Sequence, residues 1–108
     1  MTTWTVPAIV RRVIDGDTVV CDLDQGWDTW RVNQRIRLLG VDCPEMNTTE
    51  GRMAKQFTAD HLPVGTEVTV VSHSLDNFGR VLGVVLLDGG TPLAGMLLAA
   101  GHAKQVKA

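Results

Sequence analysis

Short β-branched runs, each broken by turn residues, limit what this chain can fold into more than any other feature. Val6 to Ile14 is apolar and β-branched, is interrupted by Arg11-Arg12, and runs into Asp15-Gly16. Thr18 to Cys21 reads as a second strand, and Asp24-Gln25-Gly26 has turn chemistry. From Trp30 to Leu39 the pattern alternates, with Trp30, Val32, Ile36 and Leu38 on one phase and Arg31, Arg35 and Arg37 on the other. A period of two predicts a half-buried antiparallel strand with a basic outer face. The three segments together read as a meander.

The second half changes period. After Thr49-Glu50-Gly51, the residues Met53, Ala54, Phe57, Ala59, His61 and Leu62 recur at roughly helical spacing, and Pro63 with Gly65 ends the helix. Val68 to Val71 is a strand, Leu75 to Gly79 a tight reversal, and Arg80 to Leu87 the partner strand. Past Asp88-Gly89-Gly90, Thr91 is expected to cap a last helix with Pro92 at its first position. Leu93, Met96, Leu97 and Ala100 form its apolar stripe, and Gly101 suits its end. Met53 and Met96 are expected in the core. The order β-β-β-α-β-β-α predicts a mainly β, α+β protein with two or three helices. Its architecture is the five-stranded Greek-key barrel of the OB-fold.

At 108 residues the chain is expected to form one domain, 1–108. Hydrophobic residues make up 44% and charged residues 20%, which excludes a disordered composition. Apolar runs such as Val84 to Leu87 fall far short of the ~20 residues of a membrane span. Met1-Thr2-Thr3-Trp4 carries no apolar run after a basic start, so a cytoplasmic location is expected; a monomer with no membrane partner is expected as well. Cys21 and Cys43 do not make a disulfide framework, and Cys21, in phase with Val19, reads as a small buried hydrophobe. His61, His73 and His102 have no spacing that suggests a metal site or triad.

Two acidic motifs carry the chemistry. Asp15-Gly16-Asp17-Thr18 lies where the first strand hands over to the second, and Asp42-Cys43-Pro44-Glu45 follows the third strand. A meander brings these ends together and places up to four carboxylates in one pocket. Such crowding is costly unless a cation or protons neutralise it. Oxygen donors suit Ca²⁺ or Mg²⁺ rather than zinc. Taken separately, each motif is also ordinary turn chemistry. Arg37 and Arg80 shift the balance, because a metal with two guanidiniums is suited to neutralising a phosphate and its transition state.

Ile14-Asp15-Gly16-Asp17-Thr18-Val19, then Arg37-Leu38-Leu39-Gly40-Val41-Asp42-Cys43-Pro44-Glu45, then Asp76-Asn77-Phe78-Gly79-Arg80 resemble the staphylococcal nuclease (thermonuclease) family. All three motifs stand in the family's order, over about Val6 to Lys104. The resemblance implies a Ca²⁺-dependent phosphodiesterase acting on DNA and RNA and leaving 3′-phosphate ends, with Mg²⁺ the less suitable ion. By position it implies Asp17, Asp42 and the backbone carbonyl of Cys43 as metal ligands, with Asp15 behind them. Glu45 would orient or deprotonate the attacking water, and Arg37 and Arg80 would grip the scissile phosphate.

The chain also departs from the family. Cys43 replaces the usual Thr, and Asn77 and Phe78 replace a lysine and a tyrosine of the staphylococcal enzyme. The chain has no tyrosine, so base stacking is expected to weaken or to fall to Trp27, Trp30 or Phe78. Two other readings compete with a nuclease. One is a non-catalytic nucleic-acid- or protein-binding module on the same barrel, and the other is a plain OB-fold binder of single strands. Retention of Asp17, Arg37, Asp42, Glu45 and Arg80 favours the enzyme.

Charge points the same way once the site is set aside. Ten basic against twelve acidic residues give a net of −2, which argues against a purely charge-driven nucleic-acid binder. Without Asp15, Asp17, Asp42 and Glu45, ten basic residues face eight acidic ones, a net of +2. Weak, salt-sensitive substrate binding is therefore expected.

Overall fold

The computed structural model describes residues 3–106. Three long strands, β1 (Trp4–Asp15), β2 (Thr18–Asp24) and β3 (Trp30–Leu38), form the antiparallel meander. A short β4 (Val41–Asp42) and the helix α1 (Thr49–His61) follow. The hairpin of β5 (Glu67–Leu75) and β6 (Val81–Leu86) completes the barrel. A 3₁₀ turn (Asp88–Gly90), the helix α2 (Leu93–Ala99) and a short β7 (Lys104–Gln105) end the described chain. The five long strands close in the order β1-β2-β3-β6-β5, with β1 also pairing β5 and β3 running parallel to β6. This is the expected OB-fold barrel, and closure leaves none of its long strands with a free edge.

The core explains the closure. Val10, Val19, Ile36, Val70 and Val85 fill the barrel, while Leu62 after α1 and Leu93 and Leu97 of α2 join the same cluster. Each such side chain contributes about 1.5–3 kcal/mol by leaving water. Cys21 is fully buried in this cluster and both cysteines are free, as expected for a small hydrophobe.

Four local expectations are corrected. Trp30 and Val32 are exposed although they share parity with the buried Ile36 and Leu38. The cause is a bulge: Cys21 pairs Gln34 while Leu23 pairs Arg31, and Asn33 adopts φ 59°. One extra residue in β3 flips the alternation, and Asp22 Oδ1 accepts the Asn33 N–H at 2.8 Å to hold it. Met53 is 55% exposed rather than core, because α1 turns Gly51, Ala54 and Thr58 inward. Thr91 does not cap α2; Pro92 holds the cap position without a side-chain hydrogen bond. The helix α1 opens at Thr49 as expected, and Thr48 caps it, its Oγ1 accepting the Gly51 N–H at 3.0 Å. Gly101 behaves as expected, ending α2 at φ 78° with Gly101 N–H on Leu98 and His102 N–H on Leu97.

Candidate active site

Three pieces of chain meet beside the end of β3. The first is the β1–β2 turn, where the Asp17 N–H donates to Asp15 Oδ1 at 3.2 Å. Gly16 is required there by space: a Cβ on it would lie 2.8 Å from Cys43 Sγ and 2.9 Å from Ala54 Cβ. The Gly16 carbonyl accepts from the buried Thr58 Oγ1 at 2.8 Å, which ties the turn to α1. Sequence reading missed Thr58; its signal is a hydroxyl spaced four residues from Ala54 on the buried helix face.

The second piece is β4 and the segment after it. Cys43 N–H donates to Asp17 Oδ2 at 2.9 Å. Its thiol turns toward Gly16, and burial, with the charges of Asp17 and Asp15, pushes it up to about 12. With the thiol turned toward Gly16, the exposed donors of this segment are the carboxylates of Asp42 and Glu45. Glu45 is exposed, and its backbone carbonyl accepts both the N–H and the hydroxyl of Thr48, at 3.0 and 2.6 Å. Gly51 lies so close that a side chain there would strike the Glu45 backbone. The first turn of α1 thus fixes where Glu45 leaves the chain.

Arg37 joins the first two pieces. Its Nη1 donates to the carbonyls of Leu38 and Val41 at 2.7 and 2.9 Å, which locks the guanidinium plane. Its Nη2 lies 3.2 Å from Asp42 Oδ1 and 3.4 Å from Asp17 Oδ2. Asp17 is only 7% exposed. Desolvation raises its pKa to about 6, helped by a hydrogen bond to Asp15 and the Asp15 charge, and opposed by the Cys43 N–H and Arg37. Asp17 and Asp42 flank one guanidinium nitrogen, with Asp15 behind Asp17. This oxygen-rich, anionic donor set suits a hard divalent cation. Among the described residues, no three His, Cys, Asp or Glu side chains converge as a ready-made ligand set. A cation there would need backbone or water oxygens as well.

The third piece is the β5–β6 reversal. Asp76 accepts from the N–H groups of Phe78 and Arg80, both at 2.9 Å, and from Arg80 Nε at 2.6 Å. Desolvation raises the Asp76 carboxyl, but these three donors outweigh it and hold its pKa below the usual carboxylate value. The Phe78 ring, 82% exposed, lies 5.5 Å from Arg80 Cζ, within cation–π range.

Two open grooves flank this assembly. One, of about 330 Å³, is lined by Arg37, Gly40, Asp76, Phe78 and Arg80. The other, of about 550 Å³, is lined by Asp42 to Glu45 and by Gly101 to Lys104. Sequence reading missed the C-terminal wall, because only the pairing of β7 with β4 brings it there. His102 stands in that wall, stacked at 4.9 Å on Phe57, which also stacks at 4.4 Å on His61.

The tryptophans lie elsewhere. Trp30 opens β3, eight residues or roughly 26 Å of strand before Leu38. It lines a separate groove of about 420 Å³ with Asp24, Glu67 and Asp88, whose charge disfavours phosphate. Trp27 is 99% exposed at the β2–β3 hairpin tip. Of the three residues expected to contact substrate, the structure places only Phe78 beside the arginines.

The family model for staphylococcal nuclease homologues matches residues 35–108, most of the chain. The chain belongs to the staphylococcal nuclease family. Within that family it is 40% identical to the thermonuclease of Staphylococcus intermedius over 86 residues, covering 73% of this chain and 48% of the relative. It is 38% identical to the micrococcal nuclease of Shigella flexneri over 76 residues, covering 70% of this chain and 40% of the relative. An uncharacterized endonuclease of Escherichia coli is 35% identical over 94 residues, covering 87% and 57% respectively. The chain spans about half the length of the curated relatives it matches. Among the described residues, no helix is long and apolar enough to cross a membrane.

Proposed function

We propose that this staphylococcal nuclease family chain is a Ca²⁺-dependent phosphodiesterase that hydrolyses DNA or RNA and leaves 3′-phosphate ends. The observation that carries the reading is Arg37, clamped by two carbonyls and shared by Asp17 and Asp42, in one groove with Arg80. Asp17, Asp42 and the Cys43 carbonyl would hold the ion, whose chemistry is to polarise a phosphoryl oxygen and acidify water.

The chain's own residues account for the remaining roles. Glu45, on a backbone fixed by α1, serves as the carboxylate that orients or deprotonates water. Arg37 and Arg80 supply guanidinium charge to two phosphoryl oxygens. Their effect is greatest in the transition state, where negative charge on those oxygens is largest. Hydrolysis of this kind needs no covalent nucleophile.

The test is cleavage of plasmid and single-stranded DNA with Ca²⁺, then with EDTA, by wild type and by Glu45→Gln and Arg80→Ala. Cleavage that requires Ca²⁺ and drops at least 100-fold in both variants is the expected result. Cleavage that ignores chelator, or persists unchanged in both variants, overturns the mechanism. Binding without cleavage under any divalent ion would favour the non-catalytic module.

A further inference from the structure

Five of the chain's seven arginines lie on β1 and β3, either side of β2. Arg37 belongs to the site, Arg11 is held by Asp22 at 2.6 Å, and Arg31 donates to Gln34 at 3.0 Å. Arg12 and Arg35 have no such role. Both are exposed, and among the described residues neither has an ion-pair or hydrogen-bond partner.

The ladder puts them on one face. Arg12 pairs Val20, and Val20 pairs Arg35, so the three stand in a single row across three strands. Val13, Val19 and Ile36 form the next row and point into the barrel, so the Arg12–Val20–Arg35 row points outward. Val20 is fully buried yet stands outside the core cluster, which fits arginine stems lying along it with their guanidiniums in water. Arg35 and Arg37 are two residues apart on β3, about 7 Å, with no bulge between them. Positive charge therefore continues outward from the candidate site across the face of β2. Of the acidic residues in the rows on either side, Asp22 is occupied by Arg11 and the Asn33 N–H, and Asp15, in the row with Thr18 and Arg37, belongs to the candidate site.

We propose that Arg12 and Arg35 form a phosphate-binding track for the polynucleotide beyond the scissile phosphate, entering or leaving the site at Arg37. The ligand class rests on the nuclease reading; the track itself is argued from the row. Two guanidiniums contacting phosphates add to the salt dependence of binding without touching the reacting atoms. The ligand chemistry is the phosphodiester backbone, which DNA and RNA share.

The test compares wild type, Arg12→Gln/Arg35→Gln and Arg12→Lys/Arg35→Lys. Binding of fluorescein-labelled dT and rU 20-mers is followed by anisotropy in EDTA from 50 to 200 mM salt. Each variant is first shown to melt cooperatively near the wild-type temperature. In the Gln variant, the slope of log K against log salt should fall by about 1.4, from two lost contacts to a single strand. The Lys variant should keep the slope. Loss with dT alone or rU alone assigns the track to that polymer. An unchanged slope in the Gln variant, or no wild-type binding to either oligomer, overturns the track. Cleavage is assayed separately, so a protein that binds through these arginines but never cleaves would refute the nuclease reading and leave the track standing. The Lys variant guards against a folding artefact, since it keeps both the charge and a long aliphatic stem at each position.

Discussion

The Cys43 N–H donates to Asp17 Oδ2 at 2.9 Å, joining residues 26 positions apart. That bond fixes the β1–β2 turn to the segment after β3. It also orients a buried carboxylate that further meets Asp15, Arg37 and the Thr18 hydroxyl.

Asp17→Asn keeps an acceptor for Cys43 but removes the charge. Wild type should gain thermal stability on adding Ca²⁺, by about 2.7 kcal/mol at a hundred times its dissociation constant. The variant should lose most of that gain and most activity, while its metal-free melting stays cooperative. A calorimetric scan with and without Ca²⁺ checks this. An equal gain in both proteins would remove Asp17 from the ion site.

Gly16→Ala should destabilise the protein by about 1–3 kcal/mol, because the new methyl collides with Cys43 Sγ and Ala54 Cβ. Cys43→Ala in the same chain should recover part of the loss. Urea midpoints of the single and double variants measure the coupling. Strict additivity would mean that the turn moves rather than clashes.

Thr58→Val removes the only hydroxyl that reaches the Gly16 carbonyl among the described hydrogen bonds. The cost should be about 1–3 kcal/mol, the usual penalty for stranding a buried acceptor. Thr58→Ser should keep the bond and lose less. Denaturation of the three proteins separates the hydroxyl from the methyl.

Asp76 gives the pH dependence a sign. Its carboxyl is depressed in the folded chain, so its stabilisation is present above the ordinary carboxylate pKa and is lost as pH falls through the folded value. Asp76→Asn should therefore flatten the acid side of the stability curve below about pH 4. It should also lower activity at neutral pH, because Arg80 loses the partner that holds it at 2.6 Å. Urea midpoints between pH 2.5 and 6 check the first effect. An unchanged acid slope would assign the acid sensitivity to other carboxylates.

Much of this was legible from residues alone. The strand runs, the turn pairs and the Gly101 stop are local signals, because backbone geometry follows nearest neighbours in sequence. Thr91 belongs to a local turn, its carbonyl accepting the Leu87 N–H at 2.8 Å, whereas Trp30, Val32 and Met53 depart from the sequence pattern for one shared reason. Their environment is set by partners far along the chain, such as the β2–β3 bulge or the packing of Ala54 and Thr58 on the Gly16 turn.

The sequence by itself determined the barrel, the family motifs and the identity of every candidate catalytic side chain. Only the tertiary structure decided that the Cys43 thiol faces inward, that Arg37 is clamped between two carbonyls and two carboxylates, and that Trp27 and Trp30 stand apart from them. The reason is physical. Period and turn chemistry act over a few residues, whereas charge, burial and hydrogen bonding act through space, between groups that only a closed barrel brings together.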